Sequence, residues 1–205
     1  GTLTSGAPNI AHLAAVDGDE ALLLQQAGAL QRGSEHPLAK AVLDACRERG
    51  LDVADVSASQ SLTGRGIAGT LDGRPLALGN RRLLEETGLD AGDLGPRAKE
   101  WEAEGRTLSW LIEQGARPRV LGLFAFGDTL KPGALQAVQQ LKSQHISSHL
   151  ITGDNHGSAR VVAEALGIDD VHAEVLPAYK AAAVAELKKT GVVAMVGDGI
   201  SDAPA

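Results

Sequence analysis

The sequence predicts an α/β protein: a parallel sheet in the second half, into which an α+β module built on antiparallel strands is inserted. Three observations carry this. After residue 120, apolar runs of strand length alternate with stretches of helical periodicity, which is the pattern of a parallel sheet with helices on both faces. The first half combines two helical stretches with strands punctuated by glycine. The chain closes on Gly197-Asp198-Gly199-Ile200-Ser201-Asp202-Ala203-Pro204, directly after the apolar Val192-Val193-Ala194-Met195-Val196. That order places two carboxylates beyond the end of a strand, where open α/β sheets bind their ligands.

In the first half, residues 18–29 and 37–49 read as helices, the second with Pro37 at its first position and Gly50 past its end. Residues 62–70 and 76–78 read as strands joined through Asp72-Gly73, a hairpin signal. Residues 84–104 are polar and helical in places, and 108–112 with 118–126 suggest a second hairpin. In the second half, 132–142 reads as a helix and His149-Leu150-Ile151 as a short strand ending at Thr152-Gly153-Asp154. A helix stopped by Gly167 follows, then an edge strand at 171–174, a helix at 179–189 and a central strand at 192–196. This organisation assigns 1–8 and 126–205 to one domain and 9–125 to the inserted one.

The 205 residues carry a formal net charge of −7 and one cysteine, Cys46. No basic block stands ready to neutralise a nucleic-acid backbone. A single cysteine excludes an internal disulfide, and its helical apolar surroundings suggest a buried thiol. No apolar run approaches the ~20 residues of a membrane span, so the chain is expected to be soluble.

Several short motifs carry chemistry. Asp198 and Asp202 would repel each other unless a cation or proton lay between them, and Mg²⁺ is the usual ion beside a phosphate; the other reading is a turn rich in Gly, Asp and Pro. Thr152-Gly153-Asp154 lies between a strand and a helix, where a phosphate could sit, although Asp154 could equally cap the helix. Lys180 could reach in as a point charge or stay solvated. His36, in Ser34-Glu35-His36-Pro37, could stack on a purine beside a helix N-terminus, or cap that helix, or pack in the core. Gly64-Arg65-Gly66-Ile67-Ala68-Gly69 has the Gly-x-Gly-x-x-Gly spacing. It lies between strands rather than between strand and helix, so it is no dinucleotide fingerprint; glycines there mark a bulge or a close backbone approach.

Both chain ends resemble the P-type ATPases. That family opens its phosphorylation domain with Asp-Lys-Thr-Gly-Thr-(Leu/Ile)-Thr, whose second half matches Gly1-Thr2-Leu3-Thr4, and closes it with Gly-Asp-Gly-x-Asn-Asp-Ala-Pro, matched from Gly197 to Pro204 with Ser201 for Asn. Ser-Glu-His-Pro is the nucleotide-domain signature of the heavy-metal subfamily. The resemblance implies a haloacid-dehalogenase-like, Rossmann-type phosphorylation domain with an inserted nucleotide-binding domain, taken from a copper-type metal pump at the cytosolic face of a membrane. Its partners would be ATP, Mg²⁺ and the membrane and actuator domains of the same pump, with no nucleic acid.

By the same resemblance His36 orients adenine with Glu35 beside it, and Gln31 stands where the family has Glu. Gly64, Gly66, Ile67, Gly79 and Asn80 lie against the nucleotide. Thr152, Gly153, Asp154 and Lys180 serve phosphoryl transfer, Asp198 holds Mg²⁺ and Asp202 supports that shell. Asp128 resembles the hinge aspartate. The phosphate-accepting Asp would precede Gly1, so the chain is expected to be a fragment without its nucleophile, and inactive alone. Two rivals are a free-standing haloacid-dehalogenase-like phosphatase with a cap domain and a non-catalytic nucleotide-binding module.

Overall fold

A computed structural model describes residues 1–199 and 202–205. The chain divides into two compact units, one formed by Gly1–Ala7 with Asp128–Ala205 and the other by Pro8–Gly127.

The 8–127 unit is built on a six-stranded sheet. Its strands are β1 (Thr4–Ala15), β2 (Ser57–Leu62), β3 (Gly66–Leu71), β4 (Arg74–Gly79), β5 (Thr107–Glu113) and β6 (Arg119–Leu130), in the order β1-β6-β5-β4-β3-β2. From β2 to β6 the sheet is an antiparallel meander. The Asp72-Gly73 signal holds: both residues have positive φ in the two-residue turn between β3 and β4, as a turn matched to strand twist requires. The first of the helices α1 (Glu20–Gln31), α2 (Pro37–Glu48), α3 (Arg81–Thr87) and α4 (Leu94–Ala103) is capped by the Asp19 side chain.

Strict alternation along the inner strands explains why both sheet faces are covered. Leu76 and Leu78 of β4, Leu111 of β5, and Phe124 and Phe126 of β6 join Leu23, Leu24, Leu30 and Val42 from α1 and α2. The intervening Ala77, Trp110, Ile112, Leu123 and Ala125 join Leu83, Leu84, Leu94 and Trp101 from α3 and α4. A period of two with apolar residues on both phases can only be satisfied by a sheet with a layer on each side. Cys46 is buried as expected, its thiol donating to the Leu24 carbonyl, and burial pushes its pKa up.

At the open end of β4 and β5, Arg74 makes a forked contact with both carboxylate oxygens of Glu113 at 3.0–3.2 Å. This hydrogen bonding, ahead of any opposing burial, holds the Glu113 carboxyl below its usual range. A carboxyl with a depressed folded-state pKa binds protons more readily in the unfolded chain. Its contribution is therefore complete above the unfolded value of about 4.3 and fades as pH falls through the folded one. Glu113→Gln should lower stability by about 0.5–1 kcal/mol at pH 6 and by much less at pH 3. Urea unfolding at the two pH values checks this; an equal loss at both would remove the electrostatic account.

The other unit contains α5 (Ala134–Ser143), β7 (His149–Ile151), α6 (His156–Leu166), β8 (Asp170–His172) and α7 (Pro177–Lys188), with β7 and β8 paired in parallel. Its core joins Ala134, Val138, Ala163, Leu166 and Ile168, flanked by Leu3, Leu130, Leu150 and Val171. The order strand, helix, strand, helix follows the sequence reading. The expected central strand does not form: residues 192–197 carry no regular structure, and Val192 and Val196 are exposed. Apolar composition marks a segment suited to a strand, but a strand exists only through its neighbours, and β7 and β8 pair with each other. Among the described residues no helix is long and apolar enough to cross a membrane.

Candidate functional site

In the 8–127 unit the residues singled out by sequence fall at the junction of α1 and α2 and along β3, β4 and the start of α3. Gln31 ends α1, Glu35 lies exposed in the link, and His36 is the N-cap of α2. The His36 Nδ1 accepts a hydrogen bond from the Leu38 N–H at 3.1 Å, and Pro37 occupies the first helical position, where no N–H is needed. Capping and recognition are thus compatible. The bond leaves Nδ1 without a proton, puts the proton of the neutral ring on Nε2, and fixes the orientation of an exposed imidazole.

The glycines meet at the start of the β3–β4 ladder, where Gly66 pairs with Gly79. A Cβ at Gly66 would lie 2.6 Å from the Gly79 Cα, with φ at +152°. One at Gly79 would lie 3.0 Å from the Arg65 carbonyl carbon. Both glycines are therefore demanded by the crossing of two backbones. Gly64 differs: its φ is +69° and a Cβ there would find only the Arg82 Nη1, 4.0 Å away. Asn80 ties the loop together, its Nδ2 donating to the Gly64 carbonyl at 2.9 Å, its N–H to the Arg65 carbonyl at 2.9 Å, and its Oδ1 accepting from Leu83 N–H to cap α3. Ile67 packs against the cluster of α1 and α2. Arg82, beside the open face of Gly64, went unnoticed in the sequence although it follows Asn80 by two residues.

In the other unit the loop after β7 is held by backbone bonds: Thr152 N–H to the His172 carbonyl, Val175 N–H to the Thr152 carbonyl, and Glu174 N–H to the Asp154 carbonyl, at 2.8–2.9 Å. The Thr152 hydroxyl accepts from Asp154 N–H at 3.1 Å. The cap of α6 is Asn155, not Asp154; its Oδ1 accepts from Ser158 N–H at 2.9 Å, so the Asp154 side chain is not consumed as a cap. The 174–175 segment that grips this loop leads straight into α7 and Lys180.

The Lys180 Nζ donates to the Asp202 Oδ1 at 2.6 Å, with only 16% and 10% of the two side chains exposed. The Lys180 hydrogen bond, together with the N–H groups of Asp198 and Gly199, holds the Asp202 carboxyl below its usual range. Asp202 thus fastens the closing loop to α7. Asp198 faces the chain's opening motif: a Cβ at Gly1 would lie 2.7 Å from its Oδ1, so the two motifs at opposite ends of the sequence converge. Gly1, through its amine, also donates to the Thr4 Oγ1 at 3.0 Å. Ser201, read as replacing an Asn, lies outside the described residues. Asp128 is exposed and is the first residue of its unit after Gly127.

A family model described as "Hydrolase: haloacid dehalogenase-like hydrolase" matches residues 1–205. The chain belongs to the haloacid dehalogenase-like hydrolases. It is 41% identical to a copper-transporting P-type ATPase of Rhizobium leguminosarum bv. viciae, covering all of this chain and 24% of that protein. It is 38% identical to a copper-exporting P-type ATPase of Legionella pneumophila, covering all of this chain and 28% of that one. The haloacid dehalogenase-like chain thus spans about a quarter of the length of the curated relatives it matches. Among solved structures it is similar to a zinc-transporting PIB-type ATPase, with a TM-score of 0.90 and 31% identity over 99% of this chain and 32% of that one.

Proposed function

We propose that this chain is the ATP-binding and phosphoryl-transfer region of a heavy-metal-translocating P-type ATPase of the copper type, working at the cytosolic face of a membrane with the membrane and actuator domains of the same pump. The observation that carries the reading is the convergence of Gly1, Asp198, Asp202 and Lys180. The likeness to copper- and zinc-pump ATPases over the whole chain supports it. A free-standing phosphatase is disfavoured by the Ser34-Glu35-His36-Pro37 cap, for which that reading has no use.

In this proposal the 8–127 unit binds the nucleotide. His36 stacks on the base, its ring pinned by the Leu38 N–H, and the open backbone at Gly64 borders the same ligand. Gln31 offers an uncharged amide where the family has a carboxylate. In the other unit, Lys180 and Thr152 contact the transferring phosphoryl oxygens and Asp154 borders them. The donor set suits Mg²⁺: Asp198 supplies a hard carboxylate oxygen, while Asp202 is engaged by Lys180 and two N–H groups and steadies the loop. Mg²⁺ held there would neutralise charge on phosphate oxygens.

Calorimetric titration with a non-hydrolysable ATP analogue tests the nucleotide half. Base stacking is worth ~1–3 kcal/mol, so His36→Ala should weaken binding about 5- to 150-fold. His36→Asn keeps a good helix cap and should weaken it equally, which separates stacking from helix stability. Wild-type affinity in His36→Asn would end the stacking role.

A further inference from the structure

A second constellation in the 128–205 unit takes no part in the proposed chemistry. The parallel register of β7 and β8 sets His149 opposite Asp170 and Ile151 opposite His172. Paired residues in a ladder share a face, as do residues two apart on one strand, so His149, Asp170 and His172 project from the same side. Asp170 Oδ2 is the meeting point: the His149 Nδ1 is hydrogen-bonded to it, and the His172 Nε2 lies 3.0 Å from it. The three potential ligand atoms lie within 4.8 Å of one another. A tetrahedral ion with bonds of about 2.1 Å sets its ligand atoms about 3.4 Å apart, so small side-chain rotations close the group on one ion. The side chains are 30%, 46% and 41% exposed, which leaves room for water at the remaining position.

We propose that His149, Asp170 and His172 form a binding site for a divalent transition-metal ion, with Zn²⁺ its natural probe. Two imidazoles and a carboxylate are a borderline donor set: they favour Zn²⁺, Co²⁺, Ni²⁺ or Cu²⁺ and offer too few oxygens for Mg²⁺ or Ca²⁺. Each imidazole enters as a neutral ring, with its proton on the nitrogen away from the metal, so His149 binds through Nδ1 and His172 through Nε2. The site stands on residues other than Asp198 and Asp202, and it holds whether or not the chain serves a pump.

The test is calorimetric titration of the 205-residue chain with ZnCl₂ in excess Mg²⁺, which keeps hard oxygen sites filled. One Zn²⁺ should bind. His149→Ala, His172→Ala and Asp170→Asn should each weaken it by more than the roughly 10- to 100-fold that loss of an outer-shell partner causes, and His156→Ala, which removes an exposed histidine outside the group, should leave it unchanged. Long-range ¹H–¹⁵N spectra should show Zn²⁺ moving His149 Nδ1 and His172 Nε2. Unchanged affinity in the His149→Ala/His172→Ala double variant, or shifts confined to other histidines, would overturn the proposal. Asp170→Asn preserves shape and hydrogen bonding, so it answers the question even if an alanine variant folds poorly.

Discussion

Gly66→Ala is expected to destabilise the 8–127 unit by about 2–6 kcal/mol, whereas Gly64→Ala should lose only about 1 kcal/mol. At Gly66 two penalties combine. The new Cβ would lie 2.6 Å from the Gly79 Cα and against the Leu78 carbonyl, an overlap between two backbones that no side-chain rotation relieves. Overpacking of that kind costs about 1–3 kcal/mol, and a φ of +152° adds a backbone penalty of about 1–3 kcal/mol for an L-residue. At Gly64 only the left-handed φ remains, with open space around the new methyl group. Set against the roughly 5–15 kcal/mol that holds a typical domain together, the first change is severe and the second mild. Both tryptophans, Trp101 and Trp110, belong to the core cluster of this unit, so their fluorescence in a urea titration reads its unfolding directly. Equal midpoints for the two variants would show that the glycine crossing is not what demands Gly66. The contrast also bears on function. If the proposed nucleotide site is correct, loss of affinity in Gly66→Ala reports a broken ladder, while loss in a folded Gly64→Ala reports the ligand.

The ease of reading the sequence followed the strength of its local physical signals. β7 was legible to the residue because His149-Leu150-Ile151 is bounded by Thr152-Gly153-Asp154, and α2 because Pro37 and Gly50 bracket it. β1 and β2 were missed. Thr4-Ser5-Gly6-Ala7-Pro8-Asn9 and Ser57-Ala58-Ser59-Gln60-Ser61 are polar and mostly exposed, and they become strands only because neighbours offer them a ladder. The reverse error occurred at 192–196, where apolar composition promised a strand that no pairing supplies. Within the candidate site, each motif was visible as a local string. What no local string could show was which of the open readings the fold realises: His36 as a cap, Gly66 crossing the backbone at Gly79, and Asp202 as the anchor for Lys180. The His149, Asp170 and His172 cluster was invisible for a related reason. Its members lie on two strands, and only the register brings them to one face.

Under the proposed function, Lys180→Ala is expected to slow acyl-phosphate formation about 10²- to 10³-fold in a chain extended by Asp-Lys-Thr before Gly1. The reaction needs a carboxylate in line with the γ-phosphorus and the leaving β-phosphate oxygen, and fixed positive charge against the transferring phosphoryl oxygens; little else is asked of the protein. In the proposed chemistry Lys180 supplies that charge, with only 16% of its side chain exposed and its Nζ held 2.6 Å from Asp202. Removing one preorganised donor of charge typically forfeits about 10²–10³ in rate. It would also leave the Asp202 carboxylate with only its N–H partners, loosening the loop that carries Asp198. Lys180→Arg should not rescue the rate, since a planar fork cannot occupy the place of a compact ammonium. The nucleotide affinity of each variant, measured alongside, separates a transfer defect from a binding defect. The measurement is incubation with γ-labelled ATP, acid quench and hydroxylamine treatment. Hydroxylamine-sensitive label on the unextended chain would identify another carboxylate as nucleophile. An undiminished rate in Lys180→Ala would assign the Lys180–Asp202 pair to loop anchoring alone.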